Sequence, residues 1–312
     1  MSYRSYRRDK SREPSYPVTE DTTLLPFLLA TLKGKSRNNV KSLLARKLVA
    51  VDNKPESRFD TPLHAGQTVT ILSVSAPFLT GLPFELLYED EHLIAVNKPA
   101  GLLSVGNERE RVRTAYRMVS DYVKTQNMDN RIYVLHRLDR ETSGVLIFAR
   151  DPETQKAFQA HWNECVTKRG YYAVVEGVPQ PDHGTVTSHL IETSTHLMFS
   201  GAPGLNSRRA VTHYRTLRRG QGYALLDVNI DTGRKNQIRV HMKDLGHPVA
   251  GDKQYGGRTN PLGRLCLHSY ELSLTHPLTG KTMSFVARMP KEFKKLFRAE
   301  ARPVSRGERN AT

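Results

Sequence analysis

Five short apolar runs, at residues 93–96, 145–148, 171–175, 224–230 and 283–287, do most to limit what this chain can fold into. Runs of that length, rich in Val, Ile, Leu and aromatic residues and bounded by turn residues, read as buried strands. Two helical patterns interrupt them. Asp151-Pro152 opens one, with proline at the first helical position and Phe158, Trp162 and Val166 at four-residue spacing. The other follows Gly233, turns Ile238, Met242 and Leu245 inward and stops at Gly246. The expectation is an α+β domain around a largely antiparallel mixed sheet over residues 85–296.

A smaller unit precedes it at residues 21–74. Asp21 and Thr22 are placed to cap a helix whose apolar face is Leu24, Phe27, Leu28 and Leu32. Gly34 breaks that pattern. Ser36 can cap a second helix, with Val40, Leu43, Leu44 and Leu48 facing inward. Short strand-like pieces follow at residues 49–51 and 68–72. With leucines occupying the inner face, Lys33, Lys35, Arg37, Lys41, Arg46 and Lys47 must form an exposed basic surface. Residues 75–84 read as a linker, and residues 1–20 and 297–312 as basic tails with little aliphatic content.

Lys and Arg number 47 against 31 acids, a formal net charge of +16. Such an excess favours a polyanionic partner through counterion release. No run approaches the roughly 18 apolar residues of a membrane span, and the start Met1-Ser2-Tyr3-Arg4 has no apolar signal core. The two cysteines, Cys165 and Cys266, read as reduced and structural. The expectation is a cytoplasmic, monomeric nucleic-acid protein without a membrane partner.

The chemistry concentrates in His136-Arg137-Leu138-Asp139-Arg140-Glu141-Thr142-Ser143-Gly144. A cation on each side of Asp139 favours its ionised form. The turn that follows feeds a buried strand, so the carboxylate rides on a loop anchored by scaffold. By itself this describes many salt-bridged surface aspartates as well.

This segment resembles the signature loop of the RluA/RluD family of RNA pseudouridine synthases. Further blocks are similar to the family's in order: Asn97-Lys98-Pro99-Ala100-Gly101-Leu102, then Gly233 through His241, Gly246-His247-Pro248, Gly251-Asp252, Leu265-Cys266-Leu267-His268 and His276-Pro277. The resemblance implies that Asp139 acts at C1′ and C2′ of a flipped uridine, and that no cofactor or metal is needed. It implies that Tyr171, in Arg169-x-Tyr171-x-Ala173, stacks on the uracil, and that Arg239 pairs with Asp139. Arg137 and Arg140 then lie at the RNA, with Arg140 able to fill the vacated stack, and Leu267 and His268 line the pocket or pack the core. Lys235-Asn236 stands where the family commonly has Thr-His. Residues 21–74 resemble the αL RNA-binding motif, with Asp52-Asn53 in place of its usual Asn-Gly turn. Together these imply ribosomal RNA of the large subunit as substrate, with transfer RNA as the alternative.

Three rivals are weaker. A glycoside hydrolase needs a second acid opposite the first; the matched partners of Asp139 are cationic and phenolic, and nothing places the adjacent Glu141 across a sugar. A zinc enzyme lacks any His-Glu-x-x-His among the 12 histidines. A non-catalytic RNA-binding or ribosome-assembly factor would not need Asp139, Tyr171 and Arg239 all intact.

Overall fold

The computed structural model describes residues 13–45, 48–72, 82–127, 129–220 and 222–297. Most of both tails and of the linker, together with Arg46 and Lys47, lie outside these residues. The chain divides into two compact units. The first holds residues 1–140, 146–162 and 276–280, the second residues 141–145, 163–275 and 281–312.

The first unit begins with β1 (Ser15–Pro17), β2 (Thr22–Thr23), α1 (Leu24–Thr31), α2 (Arg37–Ala45), β3 (Val49–Val51), β4 (Lys54–Glu56), β5 (Pro62–Leu63) and β6 (Thr68–Ile71). Leu24, Leu25, Leu28, Leu32, Val40 and Leu44 form the inner face of the helix pair, packed on Val49, Leu63 and Val69. Ser36 Oγ accepts from the Asn39 amide, as its sequence position suggests. Asp21 does not cap α1, whose N-cap is Thr23 without a side-chain bond. Its carboxylate instead accepts from Ala65 N at 2.9 Å, closing the turn before β6. Residues 15–17 are not tail: β1 pairs with β6, and Val18 is buried beside it. At Asp52-Asn53 both residues take positive φ, 48° and 67°, which makes the tight β3–β4 turn without a glycine. Asp52 helps by accepting from Thr68 N and Gln67 Nε2.

The same unit continues with β7 (Leu86–Glu89), β8 (Leu93–Lys98), α3 (Ala115–Gln126) and β9 (Tyr133–Val134). Next comes β10 (Ser143–Ala149), buried along its whole length and contributing residues to both units. In the first unit its end pairs with β9. It is followed by α4 (Pro152–Cys165), which Asp151 caps through Thr154 N at 2.7 Å. Val166 begins a strand and does not extend the helix.

The second unit contains β11 (Val166–Glu176), β12 (His183–Glu192), β13 (Met198–Gly201), β14 (Ser207–Gly220), β15 (Tyr223–Ile230), α5 (Gln237–Asp244), β16 (Leu267–Thr275), β17 (Thr282–Val286) and α6 (Lys291–Lys295). Its strands lie in the order β13-β12-β14-β15-β11-β16, with β17 on β16, all antiparallel. The start of β10 joins β16 in parallel, giving the mixed sheet expected from the sequence. Ile238 and Met242 of α5 pack on Ala173, Val175, Leu226 and Val228, so one sheet face and one helix face form the core.

Candidate active site

In the first unit the signature loop is fixed by its backbone. Ser104 Oγ donates to Leu138 O at 2.7 Å and accepts from Leu138 N at 3.0 Å. Gly101 N donates to Arg140 O, and Arg140 Nε donates back to Gly101 O. The residues on either side of Asp139 are therefore both held, and its carboxylate rides half-buried between two exposed arginines, Arg137 and Arg140. His136 is tied into the first unit: its Nε2 accepts from Ile147 N at 3.1 Å, and its ring lies 5.4 Å from that of Trp162.

Behind the loop lies Lys98, completely buried. Its Nζ donates to the carbonyls of Pro99 (3.0 Å), Leu102 (2.8 Å) and Arg140 (3.2 Å). An ammonium has three donors, and here three carbonyls receive them. The sequence offers Lys98 only as part of a motif. An Asn-Lys-Pro turn does not reveal that the lysine points inward, because lysine is normally a surface residue.

In the second unit the rest of the signature is held as firmly. Ser143 Oγ takes a bond from Arg264 Nη2 at 2.7 Å and lies 2.8 Å from His268 Nδ1. Burial pushes His268 down to about 4, so it is neutral and donates through Nε2 toward Ala287 O. Both ring nitrogens are thus committed within the unit, and Leu267 belongs to its core. Both residues are buried. Gly144 has φ +118°, and a Cβ there would lie 2.0 Å from Ser269 O, so only glycine admits the β10–β16 pairing.

Arg239, on α5, sits in a cage. Nε and Nη2 each donate at 2.7 Å to the two oxygens of Asp252, a bidentate pair. Nη2 also donates to Gln254 Oε1, and Nη1 to Asn236 Oδ1 at 2.9 Å. The guanidinium carbon lies 4.7 Å from the centre of the Tyr255 ring. Asn236 Nδ2 donates to Tyr255 Oη, tying ring and guanidinium together. Asn236 has φ 54°, a left-handed position that asparagine tolerates better than most residues. The departure from Thr-His thus puts a neutral amide against Arg239. Asp252 was legible as part of a Gly-Asp block, but not as this partner.

Tyr171 and Tyr172 point to opposite faces of β11, as strand alternation requires. Tyr171 pairs in register with Val228 and packs against the core beneath α5. Tyr172 turns the other way and stacks on Tyr270 with ring centres 4.1 Å apart. Asp139, Arg137 and Arg140 thus belong to the first unit; Tyr171, Arg239, Leu267 and His268 belong to the second. In the N-terminal helix pair Lys33, Lys35, Arg37 and Lys41 are all exposed.

A family profile described as RNA pseudouridylate synthase matches residues 92–244, which include the signature loop, Tyr171 and Arg239. The chain is 32% identical over 219 residues to the uncharacterized RNA pseudouridine synthase YjbO of Bacillus subtilis, covering 70% of this chain and 77% of that one. It is 30% identical over 281 residues to ribosomal large subunit pseudouridine synthase D of Neisseria meningitidis serogroup B, covering 85% and 75%. Among solved structures, human RNA pseudouridylate synthase domain containing 4 superposes with a TM-score of 0.55 at 25% identity, covering 67% and 90%. The chain belongs to the RNA pseudouridylate synthase family. Its activity is the isomerisation of uridine in RNA to pseudouridine. No helix among the described residues is long and apolar enough to cross a membrane.

Proposed function

We propose that this chain is a monomeric cytoplasmic enzyme that modifies uridines of large-subunit ribosomal RNA, with Asp139 acting at the ribose. The observation that carries the assignment of Asp139 is the clamping of its loop, by Ser104 at Leu138 and by Gly101 and Lys98 at Arg140. A carboxylate on so fixed a backbone is preorganised, which is what stabilising charge at C1′ requires. The C1′–N1 bond breaks, the uracil turns, and a C1′–C5 bond forms as the C5 proton leaves and a proton reaches N1. Nothing is oxidised or reduced. In this reading Tyr171 stacks on the flipped base, Arg239 keeps Asp139 charged, and Arg137 and Arg140 meet the RNA. The nucleotide leaves its stack at a cost of a few kcal/mol. The exposed Lys33, Lys35, Arg37 and Lys41 contact phosphates elsewhere on the same RNA, as an αL-type module would.

The ribosomal target is supported by the large-subunit synthase D among the relatives. Transfer RNA is the second reading, because tRNA pseudouridine synthase C of Pectobacterium carotovorum is 36% identical over 228 residues. This chain covers only 58% of that protein. Mapping pseudouridines in ribosomal and transfer RNA from cells with and without the gene decides between them. Tritium release from RNA labelled at uracil C5 tests the chemistry: wild type should release it and Asp139→Asn should not. Turnover by that variant would remove Asp139 from the mechanism.

A further inference from the structure

We propose that residues 107–113 form a clamp for RNA phosphates beside Asp139; this rests on the reading that the signature loop receives a uridine of RNA. The segment presents Arg109, Arg111 and Arg113, all exposed, with Val112 exposed between the last two. Among the described residues none of the three guanidiniums donates a hydrogen bond or forms an ion pair.

The segment has a built conformation. Asn107 Oδ1 accepts from Arg109 N (3.0 Å) and Glu110 N (2.8 Å), and Asn107 N donates to Glu110 O. Glu110 Oε1 accepts from Val112 N and Arg113 N, both at 2.8 Å. That carboxylate is turned onto the loop's own backbone, and the arginines are left outward. A surface kept basic only for solubility needs no such internal bracing.

Its stem is tied to the signature loop. Ala115 N and Tyr116 N donate to Leu103 O and Ser104 O, closing the base of the segment. Ser104 is the residue that grips Leu138 from both sides, and Gly101 is bonded to Arg140. The three guanidiniums therefore rise from a stem bonded to both neighbours of Asp139, all within one unit. With Arg137 and Arg140 they make five cations against Glu108, Glu110 and Asp139.

RNA is the occupant that fits. Guanidinium forks match phosphate oxygens in pairs. An extruded nucleotide needs the phosphates beside it held while its base is out of the stack. A lipid surface would call for a broad apolar face alongside the charge, and Val112 alone does not supply one.

The test replaces Arg109→Gln, Arg111→Gln and Arg113→Gln together in the full chain. The control is Lys291→Gln, Lys294→Gln and Lys295→Gln on α6, three exposed cations with the same charge change. The probe is a transcript of large-subunit ribosomal RNA carrying tritium at uracil C5, with filter binding and tritium release measured over a range of salt. Neutralising three phosphate contacts should make the slope of log Kd against log salt shallower by about 2. Most of the activity loss should fall in KM rather than kcat, by about tenfold or more at physiological salt. The control should keep the wild-type slope, and matching circular dichroism melts show that both variants fold. An unchanged slope in the arginine variant, or an equal loss in the control, would overturn the clamp. Binding is read without turnover, so a wild type that released no tritium would sink the reading of Asp139 and leave the clamp to be judged by the slope.

Discussion

Replacing Lys98 with methionine separates two roles that one buried ammonium performs. The methionine side chain can follow the same path but offers no donor. Pro99 O and Leu102 O lose the Nζ bond, while Arg140 O keeps its bond from Gly101 N. Leu102 O, a buried acceptor left unsatisfied, costs about 1–3 kcal/mol, whereas Pro99 is exposed and its carbonyl can turn to water. Relief from burying an ammonium offsets part of that, leaving an expected net loss of about 1–2 kcal/mol. With a denaturant slope of about 2–3 kcal/mol per molar, the urea midpoint should fall by about 0.5 M. The catalytic effect should be larger. The Arg140 carbonyl would keep one bond where two now hold it, and a displacement of about 1 Å at a reacting group costs about 100-fold in rate. The assay is single-turnover tritium release at a urea-free temperature where Lys98→Met is fully folded. A rate within about twofold of wild type would show that Lys98 does not position the loop, since the expected loss is at least tenfold.

Other outcomes follow from the second unit and the β10 turn. Gly144→Ala places a methyl group where Ser269 O stands, so it should give a protein destabilised by more than about 3 kcal/mol, or none that is soluble. Asp252→Asn removes the charge of the bidentate partner of Arg239 and should cost up to about 3 kcal/mol in urea denaturation. Asn236→Ala should lower kcat more than it raises KM, because it removes an acceptor from Nη1 of Arg239 and one of the two donors to Tyr255 Oη while leaving Asp252 in place; an unchanged kcat would detach Asn236 from the site. His268 has a folded value of about 4 against an ordinary 6.5. Between those two values the unfolded chain binds a proton that the folded chain does not, so stability should fall by about 3 kcal/mol as pH drops from 6.5 to 4. Urea midpoints across that range should show a shallower dependence in His268→Gln.

What the sequence conveyed, and what it did not, follows from how each residue's environment differs from its usual one. The helices α1, α2, α4 and α5 were legible because leucine, valine, isoleucine, methionine and phenylalanine recur at helical spacing along them, although α4 also buries Thr154 and α5 also buries Gln237, Arg239 and His241. α3 escaped notice because Ser120 and Asp121 lie buried among its apolar positions, while Tyr116, Arg117 and Met118 blur the stripe. The long strands β12 and β14 were missed for a related reason. One face of each is solvated and carries threonine, histidine and arginine, so neither shows a continuous apolar run. Motif order singled out Asp139, Tyr171 and Arg239. It carried Lys98 and Asp252 inside motif blocks without showing their partners, and it passed over Ser104, which is bonded to Leu138 far along the chain. Nor could spacing show that His268 is buried and bonded to Ser143, because that depends on which strands pair around it.

The chain passes between its two compact units after residues 140, 145, 162, 275 and 280. Neither unit is therefore a continuous stretch of gene, and no single cut yields both. Recombination can lengthen, shorten or exchange the leading helix pair and the surface loops, but it cannot trade one unit for a cousin's without rewriting the nine-residue signature itself. New RNA targets in such a lineage are expected to arise at the periphery, while the interior is inherited whole.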